Sequence, residues 1–289
     1  MRARIPVRAD AALVLEGGGM RGQYASGVMD AFAEAGVIFP YVIGVSAGIS
    51  NAASYVAGQP GRNRQVFTRF AGDPRYFSWR NWLRQGNPFG LDFIYRRLPD
   101  DLPFDFTAFK AAPVRFRVGV TDCESGEAVF WDKEEVPLEE ALIASASLPM
   151  IGRMARVKGR LYLDGGISDP VPFRQAAADG FSRRVVVLTR NRGFRKPEPG
   201  RVVRAAVRLK YRRFPALARA VAFQHATYNR ALDELEAEER AGRALVIRPS
   251  QPLMAGRYTQ DRTVLERLYQ NGESDARAVM PQLRGFLSI

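Results

Sequence analysis

The sequence is poor in the residues that most often staple, coordinate or anchor a chain. In 289 residues it has one cysteine, Cys123, and one histidine, His225. A single thiol closes no internal disulfide, which excludes a disulfide-stapled secreted domain and makes a reducing compartment the expectation. The lone thiol reads as a small buried hydrophobe. Long apolar runs are missing too. The stretch Ala11 to Leu15 is five residues long before Glu16 interrupts it. A secretory leader needs roughly 7–15 apolar residues and a membrane span about 20. The basic start, Met1 to Pro6, is followed by neither, so a soluble cytoplasmic protein is expected. No zinc-ligand spacing and no aromatic RNA-binding motif occurs, so neither a metal nor nucleic acid is expected.

What is there is ordinary globular composition, 46% hydrophobic and 25% charged, with a net charge of +13. The charge is concentrated. Between Arg183 and Arg219 there are thirteen Lys or Arg and one acid, Glu198. Such a segment favours polyanions. Arg201, Arg204, Arg208 and Arg212 recur at three and four residues. As a helix they would form a basic amphipathic stretch suited to peripheral contact with an anionic membrane surface. A merely solvated arginine face is the plainer reading.

Short apolar runs alternate with helical patterns. Leu13–Leu15 and Tyr41–Val45 read as buried strands, and the helical patterns Met20–Ala35 and Ser46–Ala57 follow them. Strand–helix–strand–helix predicts a parallel sheet with right-handed crossovers. Further strands are expected at Val114–Val120, Ala128–Trp131, Arg160–Leu163, Val185–Leu188 and Ala244–Ile247, with a polar helix around Ala231–Arg240 and a terminal helix from about Asp261. Between Phe67 and Phe109 lie twelve of the 31 aromatics. This segment reads either as a lid or acyl-chain wall, with Trp79 and Trp82 at an interface, or as plain core.

Two glycine patterns compete for the first loop. Gly17-x-Gly19-x-x-Gly22 follows a strand and opens a helix, as in dinucleotide-binding folds. That fingerprint needs an acid about 20 residues on, and none occurs from Ala35 to Gly72. At the end of the second strand stands Gly44-Val45-Ser46-Ala47-Gly48, the Gly-x-Ser-x-Gly pattern of a nucleophile elbow. Small neighbours permit the sharp turn that exposes a serine hydroxyl. Acyl transfer through Ser46 would create an oxyanion, and amides of Gly17, Gly18, Gly19 and Met20 at a helix start would receive it, with Arg21 adding positive charge. A serine also needs a base. Asp164, in Asp164-Gly165-Gly166 at a strand end, is one candidate, provided burial raises its pKa. Ser46, Asp164 and His225 also stand in the order of a hydrolase triad.

Taken together, Gly17-Gly18-Gly19-Met20-Arg21-Gly22, Gly44-Val45-Ser46-Ala47-Gly48 and Asp164-Gly165-Gly166 resemble the motifs of the patatin-like phospholipase family, in its bacterial branch. Ala144-Ser145-Ala146-Ser147-Leu148-Pro149 resembles the family's segment before its Asp-Gly-Gly strand, and Gly86 to Asp92 and Thr121-Asp122 match in context. The resemblance runs from about Ala12 to Val187 and recovers near Tyr269 to Asp275. It implies an α/β fold with three layers, α/β/α, around a mainly parallel central sheet, with a helical insertion and C-terminal helices. It implies a catalytic core over about 12–190, carrying the insertion at about 67–109, and a basic helical extension over 191–289 packed on the same domain. By carry-over, Ser46 is a nucleophile, Asp164 its base, and the Gly17–Met20 loop an oxyanion hole supported by Arg21, Gly44, Gly48, Gly165 and Gly166. The reaction implied is hydrolysis of lipid carboxylic esters by a Ser–Asp dyad without histidine, metal or cofactor. The alternatives are a non-catalytic lipid-binding or regulatory protein on the same fold, and a nucleic-acid binder using the basic segment.

Overall fold

Runs of Val, Leu, Ile and Ala a few residues long, ended by glycine or aspartate, build the centre of the molecule. The computed structural model describes residues 7–289, and the basic run Met1–Pro6 lies outside them. Among the described residues the strands are β1 (Ala11–Leu15), β2 (Tyr41–Val45), β3 (Arg115–Asp122), β4 (Ala128–Asp132), β5 (Ala155–Val157), β6 (Arg160–Asp164), β7 (Arg183–Val187) and β8 (Ala244–Ile247). They form one sheet whose hydrogen-bonded neighbours connect as β5-β6-β3-β2-β1-β7-β8, with β4 on the other edge of β3. The four pairings β1–β2, β1–β7, β2–β3 and β7–β8 are parallel. The three involving β4, β5 and β6 are antiparallel. The sheet is therefore mainly parallel with an antiparallel part, made of the hairpins β3–β4 and β5–β6 and the longer-range pair β3–β6. Strand β5 is too short to stand out in sequence.

Both faces of the central strands are apolar because helices cover both. Leu13 and Leu15 of β1 face one cluster and Ala12 and Val14 the other, as the two-residue period of a strand requires. On the first face lie α1 (Gly22–Glu34), α2 (Ser46–Val56) and the C-terminal α11 (Arg262–Leu287). On the second lie α8 (Phe173–Ala178) and α10 (Pro215–Arg240). This is the three-layer α/β/α arrangement. The polar helix expected at Ala231–Arg240 is the last part of the longer α10. The aromatic segment contains α3 (Arg62–Phe70), α4 (Trp79–Gln85), a π-helical turn (Phe93–Arg97), α5 (Leu98–Asp101) and α6 (Phe106–Ala111). It closes a third apolar cluster that includes Phe67, Tyr76, Phe89 and Phe93. Two helices complete the set, α7 (Leu138–Ser145) and α9 (Arg201–Lys210). No helix among the described residues is long and apolar enough to cross a membrane.

Helices α1 and α11 touch backbone to backbone. A Cβ on Gly27 would lie 2.0 Å from the Tyr269 carbonyl oxygen, and one on Gly272 would lie 2.0 Å from that of Tyr24. Beside this contact the Tyr24 hydroxyl donates to Asp275 and the Tyr269 hydroxyl to Asp30, at 3.0 and 2.9 Å. Two glycines and two Tyr–Asp pairs thus fix the C-terminal helix on the first helix of the chain. Gly272→Ala is predicted to destabilise the protein by about 3 kcal/mol, because backbone must shift to admit the methyl group. Gly285→Ala, in the same helix with open space around it, is predicted to be neutral or to stabilise by up to about 1 kcal/mol. Urea unfolding midpoints of the two variants check the pair.

Candidate active site

One edge of β3 brings the first two site residues together. Strand β2 pairs with β3 as far as Val45 opposite Gly119. Strand β6 pairs with the next residues, Asp164 opposite Val120. Because β4 also pairs with Val120 and Thr121, β4 and β6 must take opposite edges, and β6 shares the edge used by β2. The two strands run toward each other and meet end to end. Ser46 follows the last residue of β2, and Asp164 is the last residue of β6. Both side chains line one cavity, and the nearby Ser46 hydroxyl favours the ionised form of the Asp164 carboxylate.

Ser46 has a φ of +54°. For a residue with a Cβ this left-handed conformation costs about 1–2 kcal/mol. The turn also runs hard against the end of β1. A Cβ on Gly48 would lie 2.4 Å from the Glu16 carbonyl oxygen, and one on Gly44 would lie 2.8 Å from that of Leu15. The two elbow glycines are therefore set by the neighbouring chain as well as by the turn.

A segment given only a passing resemblance in sequence ties both site residues down. The Ser46 amide donates to Ser145 Oγ at 2.8 Å, and that hydroxyl donates on to the Gly119 carbonyl at 2.7 Å. Ser145 thus bridges the gap where the β2–β3 ladder stops. Two residues on, the Ser147 carbonyl accepts the Asp164 amide at 2.8 Å. The pattern Ser-x-Ser at the end of a helix, before Leu-Pro, was the available signal. The Asp164 carboxylate also accepts the Gly166 amide at 2.8 Å. Burial pushes the Asp164 pKa up. The nearby Ser46 hydroxyl, the Gly166 hydrogen bond and the charges of Arg257 and Lys196 pull against that without cancelling it.

The glycine loop lies beside Ser46. A Cβ on Gly17 would be 2.9 Å from Ser46 Cβ. The amides of Gly17, Gly18 and Gly19 have no hydrogen-bond partner among the described residues, whereas the Met20 amide donates to the Arg257 carbonyl at 3.1 Å. Met20 is therefore corrected as an amide donor to an oxyanion: its N–H is already taken, by a residue far along the chain. Gly19 has a φ of +57°. Arg21 is buried beneath the loop, and its Nε has no partner. His225 is not brought in. It lines neither cavity at Ser46, whereas Gln224 and Tyr228 of the same helix line one of them. Gln224 donates to the Gly166 carbonyl at 2.6 Å. Cys123 is buried, and burial pushes its thiol up to about 12, so it is inert at neutral pH.

Ser46, Gly19 and Leu148 stand between two cavities and line both. The first, of about 120 Å³, is walled by aromatic and aliphatic side chains, among them Phe67, Tyr76, Phe89, Ile94 and Tyr95. Most come from the aromatic segment, which is a wall here, while Trp79, Trp82 and Leu83 of α4 are exposed. The second, of about 380 Å³, is lined by Glu16, Asp164 and the cations Arg21, Arg190, Lys196 and Arg257. Among the described residues no group of His, Cys, Asp and Glu is arranged to hold a metal ion. Part of the basic segment is neutralised by acids. Arg184 pairs with Glu238, Arg192 with Glu239, Arg195 with Asp233, and Arg204 with Glu198.

The chain is similar to proteins described elsewhere. It is 30% identical over 184 residues to the uncharacterized protein YjjU of Escherichia coli K12, covering 62% of this chain and 51% of that one. It is 29% identical over 171 residues to an uncharacterized NTE family protein of Mycobacterium bovis, covering 57% and 45%. The chain thus spans about half the length of these curated relatives. Among solved structures, VipD from Legionella pneumophila matches with a TM-score of 0.47 at 13% identity, covering 94% of this chain and 66% of that one. A model described as a domain of unknown function (DUF6363) matches residues 214–288. The model for patatin-like phospholipases matches residues 13–177, more than half of the chain and the whole stretch from β1 through the elbow to α8, and the chain belongs to that family.

Proposed function

We propose that the protein is a serine hydrolase of lipid carboxylic esters, with Ser46 as nucleophile and Asp164 as its base. The observation that carries this reading is a serine on a strained elbow that shares a cavity with a buried carboxylate of raised pKa, at a point open to an apolar cavity. The acyl chain lies in that cavity, and the alcohol part of the ester lies in the cationic one.

In the first step the Asp164 carboxylate takes the Ser46 proton as Oγ bonds to the ester carbonyl carbon. The carbonyl oxygen becomes an oxyanion, and the free Gly18 and Gly19 amides donate to it. The carbon–oxygen bond to the alcohol then breaks. Asp164 returns its proton to the leaving oxygen, and an acyl-Ser46 ester remains. A water gives a proton to Asp164 and attacks that ester. Ser46 leaves with the proton, and the fatty acid is released. The exposed Trp79, Trp82 and Leu83, together with Arg201 and Arg208 of α9, which form no ion pair among the described residues, support peripheral contact with an anionic membrane surface as part of the same reading.

A fluorophosphonate probe followed by mass spectrometry tests the assignment. The adduct is expected on Ser46 in wild type and in His225→Ala. It is expected to be lost in Ser46→Ala and slowed by about 10²–10⁴-fold in Asp164→Asn. Absence of the adduct from folded wild type in detergent would leave a non-catalytic lipid-binding protein. Loss in His225→Ala alone would replace the dyad with a triad.

The pH dependence has a definite sign. Asp164 must be ionised to act as base, so kcat/KM rises as this group loses its proton. With its pKa raised above 3.8, the acid limb should inflect above the ordinary aspartate range. The same shift opposes stability. A carboxyl raised in the folded state favours the fold below its unfolded pKa, and loses that contribution as the pH rises through the folded pKa. Asp164→Asn, which keeps an acceptor without the buried charge, is therefore predicted to melt no lower than wild type at neutral pH. A pH–rate profile and a thermal unfolding curve check both statements.

A further inference from the structure

The second cavity holds more positive charge than the fold can use. Arg21, Arg190, Lys196 and Arg257 all line it, and none of the four forms an ion pair among the described residues. Neighbours from the same basic stretch do find carboxylates on α10. The Arg190 guanidinium lies over the Phe194 ring, 4.3 Å from its centroid, and the Lys196 ammonium over that of Tyr228, at 5.8 Å. Rings orient these groups but do not neutralise them.

The cations also act on one another. Burial lowers the Lys196 pKa to about 8, and the charge of Arg257 adds to the effect. Burial lowers that of Arg21 to about 10, and Arg190 and Arg257 push in the same direction. Like charges crowded at a partly buried site cost stability. Glu16 and Asp164 offset this only in part, and a fold that bears the remaining cost has a use for the charge elsewhere.

The carboxylates lining the cavity are already occupied. Glu16 accepts from the Tyr228 hydroxyl on one oxygen and from the Thr189 amide and hydroxyl on the other. Asp164 accepts the Gly166 amide. Four cations against these two carboxylates also repel an ammonium group. The chamber fits an anion without an attached cation.

We propose that this chamber binds the phosphate of an acidic lipid headgroup through Arg190, Lys196 and Arg257, so that the preferred esters are anionic phospholipids or lysophospholipids rather than choline or ethanolamine lipids. The proposal rests on the reading of Ser46 as nucleophile, since Ser46 joins the chamber to the acyl cavity. All three residues lie outside the segment matched by the phospholipase model. Arg190 and Lys196 fall between the two matched segments and Arg257 within the second. Headgroup choice would thus be written by the part of the chain that follows the catalytic motifs.

The test compares kcat/KM for monoacyl glycerol 3-phosphate and for the phosphocholine lysolipid of the same chain. Both are presented at low mole fraction in neutral detergent micelles and at fixed ionic strength, so that surface charge does not recruit the protein. Wild type is expected to favour the phosphate by about tenfold or more. The double variant Lys196→Gln/Arg257→Gln is expected to lose that ratio, and Arg190→Gln, a milder change, to reduce it. A thermal scan supplies a reading independent of turnover. Inorganic phosphate should raise the melting midpoint of wild type and of Ser46→Ala but not of the double variant. Without phosphate, the double variant should melt at or above wild type, since repulsion has been removed. If wild type takes the fluorophosphonate at Ser46 yet shows no headgroup ratio, the proposal falls and the nucleophile stands. If phosphate stabilises the protein but the ratio is absent, the chamber serves a free phosphate and the lipid headgroup is overturned. If Ser46 never takes the probe, the reading beneath the proposal has failed.

Discussion

The arrangement depends on one edge of β3, shared end to end by two strands that run in opposite directions. Val45 of β2 stops opposite Gly119, and Asp164 of β6 stops opposite Val120. A hydroxyl and a carboxylate are delivered to one point by backbone hydrogen bonds alone, before side-chain rotamers are considered. Both arrive at a cost. Ser46 sits in the left-handed region, and the Asp164 carboxyl is pushed toward its neutral form by burial. Such costs persist only where the surroundings over-determine them. Here Ser145 holds the elbow amide and Ser147 holds the Asp164 amide, so one short segment after α7 secures both sides of the contact.

The surrounding packing follows from keeping that point still. The elbow can approach the end of β1 because Gly44 and Gly48 carry no side chain. The first loop can lie over Ser46 because Gly17 is bare and against Thr189 because Gly18 is, and its exit is pinned when Met20 donates to Arg257. The last helix reaches this neighbourhood because Gly27 and Gly272 let α11 cross α1 at backbone contact. Rigid elements therefore converge on a region that stores strain, unpaired amides and unpaired charge. Stability and function are divided between them in the usual way.

What the sequence makes legible is what is local. The elbow, the triple glycine and the Asp-Gly-Gly turn each lie within a few residues, and each sits where strand and helix signals change. They single out Ser46 and Asp164 as candidates and outline most of the sheet. The remainder depends on contacts between distant parts of the chain. Met20 reads as a free donor until Arg257 is folded against it. His225 reads as a triad member by order along the chain, yet the residues of α10 that reach the cavity are Gln224 and Tyr228. The +12 charge excess of the basic segment reads as one patch. In the fold part of it is cancelled by the acids of α10, and part, Arg190 and Lys196, faces inward. The mainly parallel sheet is legible, but its antiparallel part is not, because a hairpin partner such as β5 is too short to carry a pattern.

The most direct test of the central claim is to catch the acyl group in transit. Wild-type protein mixed with a medium-chain p-nitrophenyl ester and quenched in acid within milliseconds should give a Ser46 peptide heavier by one acyl group. The accompanying burst of nitrophenol should be close to one per protein molecule, and Asp164→Asn should lose it. Steady turnover with no acyl group on Ser46, or a burst that survives Ser46→Ala, would contradict the account.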